Sequence, residues 1–363
     1  MSKKESKSGK GAIIFLVFLL IVIVGAGGYL GFRIYNANKD KDRDPATAVN
    51  ISGGISSNSD EEKSVQIYKG TDRPIAVMID NHKDAWPQIG LNDAYMVYEI
   101  IVEGAETRLM ALYKDKDVDQ IGPVRSARHY FLDYALENDA IYGHIGQSPQ
   151  ADSDIEYLGV NNINGLYYDS GTARTESAIY WRGSDKYAPH NCYTSIAGLK
   201  TTAEQLGYET TSAKESVLNY VVDEVDLGET ATVANAVNIP FSYLQNVRFE
   251  YNAETKRYTR YARGELQADG LTGEPFTTKN IIVQFVQNYT LVDDEDKGRQ
   301  GIYNINTSDG YYITNGKAIK IKCEKASRTS QTVYKDEAGN EIKVNDGNTY
   351  VEICPLDAEV TFE

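Results

Sequence analysis

The sequence predicts an α+β fold, in which a mixed α/β N-terminal part and a β-rich antiparallel C-terminal part follow one transmembrane helix. Three observations lead to this prediction: an uncharged apolar span near the N-terminus, strand-like and helix-like runs up to about residue 212, and short alternating runs between turn residues after it. The predicted segments are a cytoplasmic tail (1–11), an anchor (12–32), a flexible linker (33–66), a mixed α/β domain (67–212) and a β-rich domain (213–363).

The anchor is predicted from its length and its flanking charges. Residues 12–32 carry no charge, and as a helix they would span about 31 Å, which matches the hydrocarbon core of a bilayer. Four lysines and one glutamate precede the span, so the positive-inside rule places the C-terminal part outside the cell. A cleaved signal peptide would have a shorter apolar region and an A-x-A site. The sequence thus predicts a single-pass cell-membrane protein with an extracytoplasmic C-terminal part.

The net charge limits the classes of partner. The whole chain carries −15, and the first ten residues carry +3, so the remainder carries −15 − 3 = −18. This charge argues against nucleic acid as a partner and against a general electrostatic attraction to anionic wall polymers, because a strongly acidic chain repels polyanions. Any site for an anion has to be local.

The mixed domain is predicted from local patterns of apolar residues. The run at 73–80 predicts a buried strand, and residues 93–115 predict a β-hairpin around Gly104. The other predicted elements are a strand at 140–146, a short helix at 149–158, and a helix at 194–208 with Thr194 as its N-cap and Gly207 as its end.

The stretch "GPVRSARHY" at 122–130 concentrates positive charge in an acidic chain. Ser126 is a plausible helix N-cap after the turn at Pro123. The apolar stripe that follows has helical spacing and consists of Ala127, Tyr130, Phe131, Tyr134 and Ala135. Free N–H groups at such a helix start, closed by Arg125 or Arg128, would bind a carboxylate or phosphate. The alternative is a structural network.

In that structural alternative, the two arginines pair with nearby carboxylates. The available partners are Glu99, Glu103 and Asp133. Buried arginine–carboxylate pairs commonly support loops, and the sequence does not decide between the two interpretations.

All four histidines lie between residues 82 and 190, each in a polar cluster at the edge of a predicted element. Sites in α/β folds collect in such loops. The candidate catalytic residues are His144, His129 and Glu103. The candidate ligand-binding residues are Asp80, His82, Arg125, Ser126, Arg128, Gln147, His190 and Asn191.

Acid–base catalysis is the second functional hypothesis. A histidine such as His144 or His129, beside Glu103 or Asp80, can move protons near neutral pH while an arginine holds the developing charge. The stretch "GQSPQ" is not the G-x-S-x-G nucleophile motif, so no serine nucleophile is indicated.

Cysteine and metal chemistry are weakly indicated. The histidines show no H-x-x-x-H or H-E-x-x-H spacing, and no C-x-x-C occurs, so neither a metal nor a cofactor is predicted. Cys192 follows His190 closely, but neighbours on one loop rarely act as nucleophile and base. Cys323 and Cys354 lie in strand-like segments and could form a disulfide, which spacing alone does not decide.

Several stretches resemble the YerB-like family of Gram-positive bacteria. They include "RPIAVMIDNH", "IGPVRSARHYFLDYA", "HIGQSPQA", "APHNCYTS", "NIIVQFV" and "YYITNGKAIK", and the resemblance extends from about residue 67 to 355. It implies a cell-envelope protein with linked α/β and β-rich parts and a domain of unknown function. Relatives are often lipoproteins, whereas this sequence predicts a transmembrane anchor. Cys192 occupies a position that is usually apolar in the family.

The sequence favours a binding protein on the outer membrane face. Its expected partner is an anionic or glycan component of the cell envelope, or an envelope-assembly protein, held in an Arg/His cleft. The alternative is an envelope hydrolase or transferase that uses the histidine–glutamate set, and whether the protein is an enzyme stays open.

Overall fold

The computed structural model describes residues 64–175, 177–292 and 295–363. These residues belong to one compact unit. The predicted anchor at 12–32 lies outside the described residues. No helix in the described part is long and apolar enough to cross a membrane.

Three α-helices and many short strands make up the described part. The helices are α1 (Phe131–Glu137), α2 (Pro149–Leu158) and α3 (Ile196–Gln205). Strands before residue 230 are β1 (Ile75–Asp80), β2 (Met96–Ile101), β3 (Thr107–Tyr113), β4 (Ile141–His144), β5 (Asn162–Asn164), β6 (Tyr180–Arg182), β7 (Cys192–Thr194) and β8 (Tyr220–Val221). Later strands are β9 (Thr232–Val233), β10 (Ala236–Pro240), β11 (Asn246–Asn252), β12 (Arg257–Ala262), β13 (Glu265–Leu266), β14 (Thr277–Thr278), β15 (Asn280–Thr290), β16 (Gln300–Tyr303), β17 (Thr307–Thr314), β18 (Lys317–Glu324), β19 (Val333–Asp336), β20 (Val344–Asn345), β21 (Thr349–Pro355) and β22 (Thr361–Phe362).

A mixed sheet of 12 strands forms the centre of the unit. Its main path runs β19-β18-β17-β15-β21-β2-β3-β1-β4-β5. The hairpin β2–β3 is antiparallel, β1 and β4 are parallel, and β2 runs parallel to β21 from the far end of the chain. The strands on both sides of the predicted boundary at 212 and 213 therefore share one sheet, and the exact division into domains stays a prediction.

Both faces of the central sheet are buried at β1, which explains the uninterrupted apolar run of this strand. Ile75, Val77 and Ile79 pack into one core, whereas Ala76 and Met78 pack into another. This split follows from the period of two along a strand. Helix α3 and a second sheet, with the path β13-β12-β11-β10-β22, contribute to the first core, and α1 contributes to the second.

The structure confirms the α+β prediction and the β-rich C-terminal part. The strand at 73–80, the hairpin around Gly104 and the helix at 149–158 are present. Antiparallel pairing dominates after residue 230, although β15 and β21 are parallel to each other. The ends of α2 follow local rules, because Ser148 accepts the Ala151 N–H and Gly159 closes the helix in the left-handed region.

Two predicted helix starts are wrong. Helix α1 begins at Phe131 and not after Ser126, and Tyr130 precedes it without a side-chain cap. The backbone of the segment before it pairs with other parts of the chain instead, since Ala127 N–H donates to Gly146 O at 2.9 Å. Helix α3 is capped by Ser195, whose hydroxyl accepts the Gly198 N–H, one residue later than the predicted Thr194.

Candidate functional site

The candidate site lies where β1 ends and the β2–β3 hairpin turns. Asp80, the last residue of β1, stands opposite Arg108 at the start of β3. The segment at 122–125 runs alongside: Asp80 N–H donates to Pro123 O at 2.8 Å, and Arg125 N–H donates to Met78 O at 2.9 Å. Tertiary backbone pairing thus carries Arg125 to the end of β1.

Gly122 allows this close approach. Its φ is +145°, and a Cβ atom there would lie 2.8 Å from Cys192 O. The segment at 122–125 also pairs with β7, because Val124 N–H donates to Cys192 O at 2.6 Å. Residues near 122 and 192 are therefore held side by side, which brings the loop that contains His190 to the site.

The carboxylate of Asp80 organises the site. It is almost fully buried, and its Oδ2 lies 2.8 Å from His190 Nδ1 and 3.0 Å from Arg125 Nε. Its Oδ1 accepts the backbone N–H of His82 at 3.1 Å. One buried acid therefore fixes two candidate side chains and the start of the following loop.

The two histidines of the site are His82 and His190. Their rings are stacked, with centroids 4.8 Å apart and planes inclined by 20°. His82 Nε2 lies 3.7 Å from Glu106 Oε1, and Glu106 in turn pairs with Arg263. His190 Nε2 makes no hydrogen bond within the described residues, so one ring nitrogen of His190 is available.

Glu103 and two arginines form a clamp beside the site. Both oxygens of Glu103 accept from Arg128, and Arg108 lies 3.4 Å away. Arg128 also donates to Ala127 O at 2.9 Å, and Arg108 donates to Ser126 O. Burial would raise the pKa of Glu103, but the Arg128 hydrogen bonds and the Arg108 charge outweigh it and lower the pKa to about 2.

Arg125 differs from Arg128 in its exposure and its bonding. The Arg125 side chain is 25% exposed and that of Arg128 is 8% exposed. Arg125 pairs with Asp80 through Nε, and neither terminal nitrogen forms a hydrogen bond with another described residue. Arg128 is thus a structural clamp, whereas Arg125 keeps two donor groups open.

The predicted anion site at a helix start is not formed. Ser126 lies in an extended segment five residues before Phe131, where α1 begins, and α1 is a single short helix of seven residues. Ser126 contributes its backbone oxygen to Arg108. The charge cluster that the sequence indicated is real, but it is built by strand ends and loops.

His144 and His129 do not join the site through any contact of the described residues. His144 is fully buried, its ring nitrogens contact Gly146 O and Asn162 Oδ1, and burial lowers its pKa. Burial also lowers the pKa of His129, to about 4, and its ring packs on Tyr130. The structure gives neither histidine a carboxylate partner at hydrogen-bond distance, so the pair that it brings together is His82 with His190.

Gln147 and Asn191 form hydrogen bonds with residues of neighbouring segments. Gln147 donates to Asp152 at 2.8 Å and accepts from Asn164 at 2.7 Å. Asn191 donates to Gly183 O at 2.8 Å and accepts from Arg182. Both side chains are therefore engaged in holding loop structure.

The other two carboxylates predicted to pair with Arg125 or Arg128, Glu99 and Asp133, pair with different arginines. Glu99 pairs with Arg260 at 2.6 Å, and both side chains are fully buried between the central sheet and the second sheet. Asp133 pairs with Arg328 at 2.6 Å. The alternative of a structural network is thus realised for Arg128 through Glu103, but not through these two acids.

The cysteines do not take part in the site. Cys192, Cys323 and Cys354 are free and buried, so Cys323 and Cys354 form no disulfide. Burial raises the pKa of Cys192 to about 12, which keeps its thiol protonated. A Cys192 nucleophile is not supported.

Sequence reasoning missed four charged residues of the site: Asp84, Glu106, Arg108 and Arg263. Asp84 follows His82 by two positions and could have been found from "NHKD". Glu106 lies on the hairpin turn, Arg108 lies in β3 and Arg263 lies between β12 and β13, and only tertiary pairing of strands brings them near the site. His82, Asp84 and His190 each offer one atom within 4.8 Å of the others, which makes them the candidate cation ligands of the described part.

Comparison with known proteins agrees with this fold. Residues 61–209 match the N-terminal domain model of "Protein of unknown function (DUF3048)", and residues 237–351 match its C-terminal domain model. "Putative lipoprotein YerB" of Bacillus subtilis (strain 168) is 30% identical over 330 residues, covering 88% of this chain and 91% of that protein. The crystal structure of YerB from Bacillus subtilis has a TM-score of 0.69 at 29% identity, covering 80% of this chain and 94% of that one. The chain therefore belongs to the DUF3048 family of YerB-like proteins.

Proposed function

We propose that this protein binds an anionic group of a cell-envelope component at Arg125. The observation that supports this proposal is the open donor face of that arginine. Its backbone is fixed by bonds to Met78 O and from Ile145 N–H, and its Nε is held by Asp80. Both terminal nitrogens are free of hydrogen bonds to other described residues. A guanidinium held in this way matches the two oxygens of a carboxylate or phosphoryl group.

The local charge on this side of the site favours an anion. Arg108, Arg125 and Arg128 contribute three positive charges, whereas Asp80 and Glu103 contribute two negative ones, which leaves +1. The whole chain carries −15. The three arginines therefore make this side of the site locally positive in a chain that repels anions in general.

The proposed location is the extracytoplasmic face of the cell membrane. The relative in Bacillus subtilis is named "Putative lipoprotein YerB", and the apolar span at 12–32 would hold this chain at a membrane surface as a lipid anchor would. The expected ligand is accordingly a carboxylate or phosphoryl group on an envelope glycan or polymer, and an envelope-assembly protein is the other partner consistent with this location.

An envelope hydrolase or transferase is the second candidate function. The Asp80–His190 hydrogen bond of 2.8 Å favours it, because a carboxylate on Nδ1 orients a histidine to accept a proton at Nε2. The base in this hypothesis is His190 and not His144 or His129. Arg125 beside it would stabilise the developing negative charge.

The test of anion binding compares Arg125→Lys with the unchanged full chain in detergent. Inorganic phosphate and acetate serve as probes in calorimetric titrations at fixed low salt. The Arg125→Lys variant should raise the Kd for phosphate about tenfold, because lysine lacks the planar pair of donors. Its melting temperature should stay close to that of the unchanged chain.

Arg248→Lys is the matched control, because Arg248 is partly exposed and pairs with Glu250 and Glu363 elsewhere on the unit. It should leave phosphate binding unchanged. Equal weakening by both variants, or no binding of either probe by the unchanged chain, would refute the proposal. Turnover of an envelope ester or glycoside that His190→Gln abolishes would favour the enzyme instead.

A further inference from the structure

The stacked histidines and Asp84 form a group that the anion proposal does not use. His82 and Asp84 lie on the loop after β1, and His190 lies on the loop before β7. One potential ligand atom from each residue lies within 4.8 Å of the other two. His82 Nδ1 is 3.6 Å from Asp84 Oδ2. Two imidazoles and one carboxylate therefore converge from two separate loops.

A hydrogen-bonded carboxylate orients His190, and a second carboxylate lies near the far side of the His82 ring. His190 Nδ1 faces Asp80 Oδ2 at 2.8 Å, so the neutral ring carries its proton on Nδ1 and its lone pair on Nε2. His82 Nδ1 accepts the Asp84 N–H at 3.2 Å, so its lone pair is on Nδ1, and zinc binding at Nδ1 would replace this hydrogen bond. His82 Nε2 faces Glu106 at 3.7 Å, which is too far for a hydrogen bond. A carboxylate behind the ring is the usual support of a metal-binding histidine.

We propose that His82, Asp84 and His190 bind Zn²⁺. Two imidazole nitrogens and one carboxylate suit zinc, whereas Ca²⁺ and Mg²⁺ prefer oxygen ligands throughout. Three protein ligands leave a fourth position open.

The site needs a modest closure. Ligand atoms on tetrahedral zinc are about 3.3 Å apart, given bonds of about 2.0–2.1 Å. The His82–Asp84 distance is already near this value, and the largest separation of 4.8 Å has to shorten. The His82 and Asp84 side chains are 40% and 72% exposed and can move, whereas His190 is 15% exposed and anchored on Asp80.

Near His82, Asp84 pairs with no arginine or lysine of the described residues. Glu106 also lies on this side of the site but pairs with Arg263, and Arg108 and Arg128 lie on the Glu103 side. A bound dication would raise the local charge by two and offer its fourth position to an anionic oxygen. The inference rests on the proposed function only for the nature of that fourth ligand, because zinc binding itself needs no anion.

Zinc titration of the full chain without a polyhistidine tag tests the inference. The chain is stripped with a chelator and titrated with Zn²⁺ against a competing chelator, and Co²⁺ absorption reports the coordination geometry. One zinc should bind per chain. His82→Gln and His190→Gln should each lower the zinc affinity at least about 100-fold, and Asp80→Asn, which removes a positioning residue, about 10–100-fold.

His129→Gln is the matched control, since His129 packs on Tyr130 outside this group. It should bind zinc as the unchanged chain does. His82 is partly exposed, so His82→Gln remains informative if His190→Gln or Asp80→Asn fails to fold. The absence of a stoichiometric zinc, or an equal loss in His129→Gln, would overturn the inference.

Phosphate titration in excess chelator separates this inference from the proposed function. Phosphate binding without zinc binding would defeat the zinc site alone. If zinc binds but phosphate binds neither to the zinc-loaded nor to the zinc-free protein, the anion site alone is refuted.

Discussion

Replacing Lys325 with methionine should strongly destabilise the protein. The Lys325 Nζ lies 2.7 Å from Glu137 Oε2, and neither side chain is exposed. Glu137 ends α1, and Lys325 follows β18, so the pair joins distant parts of the chain. Removal of the cation leaves a buried carboxylate without a counter-charge, which costs more than the pair itself contributes.

The size of the expected loss in stability depends on the hydrogen-bond donors that remain around Glu137. In the variant, Glu137 still accepts from Tyr98 OH at 2.8 Å and from the Thr332 N–H and hydroxyl at 3.0 and 2.7 Å. These neutral donors solvate the charge only in part, so we expect a loss of about 3–5 kcal/mol in the free energy of unfolding. For a unit of about 300 residues, this corresponds to a fall of about 5–8 °C in melting temperature.

The assay is thermal and urea unfolding of the full chain in detergent, followed by near-UV circular dichroism. Lys83→Met is the control, because the Lys83–Glu265 pair has a similar distance of 2.6 Å but both side chains are more than half exposed. It should change the stability by less than about 0.5 kcal/mol. Glu137→Gln added to Lys325→Met should restore part of the loss, because no buried charge then remains. A loss below about 1 kcal/mol for Lys325→Met would refute the reasoning.

Two further predictions concern acid stability and topology. The folded-state pKa of Glu103, about 2, lies below the unfolded value of about 4.3. Its contribution, on the order of 3 kcal/mol, should therefore be present above pH 5 and disappear as the pH falls toward 2. A stability difference between the protein and Glu103→Gln that does not shrink over this range would contradict the assignment. Protease added to intact, wall-stripped cells should remove residues 33–363 and leave a small membrane fragment, and complete protection would exclude an extracytoplasmic location.

Local sequence patterns were sufficient to predict the elements whose conformation depends mainly on their own residues. The apolar run of β1 and the hairpin around Gly104 were predictable because a pleated strand between two cores needs apolar residues on both faces. Helix α2 was predictable because Ser148 and Gly159 satisfy its ends within the same stretch.

The start of α1 was not predictable from its own residues. The stripe through Ala127, Tyr130 and Phe131 is buried as a helix would require. Before Phe131, however, the backbone N–H groups of Arg125 and Ala127 donate to Met78 and Gly146, and Ser148 N–H donates back to Ala127 O. Pairing with distant segments replaces the helical bonds, so the pattern of apolar side chains was right and the backbone conformation differed.

The sequence by itself determined the α+β class, the family and the part of the chain that carries the polar cluster, because composition, period and motif are local properties. Only the tertiary structure decided which polar groups meet. Asp80 and His190 are 110 residues apart, and Glu106 reaches Arg263 across two sheets. Arg125 and Arg128 have the same side chain three positions apart, yet Arg128 is enclosed by Glu103 and Arg125 is open. This difference depends on strand register and on the tertiary contacts between the segments that contain His82, Arg125 and His190. The spacing of residues in the sequence does not show these contacts.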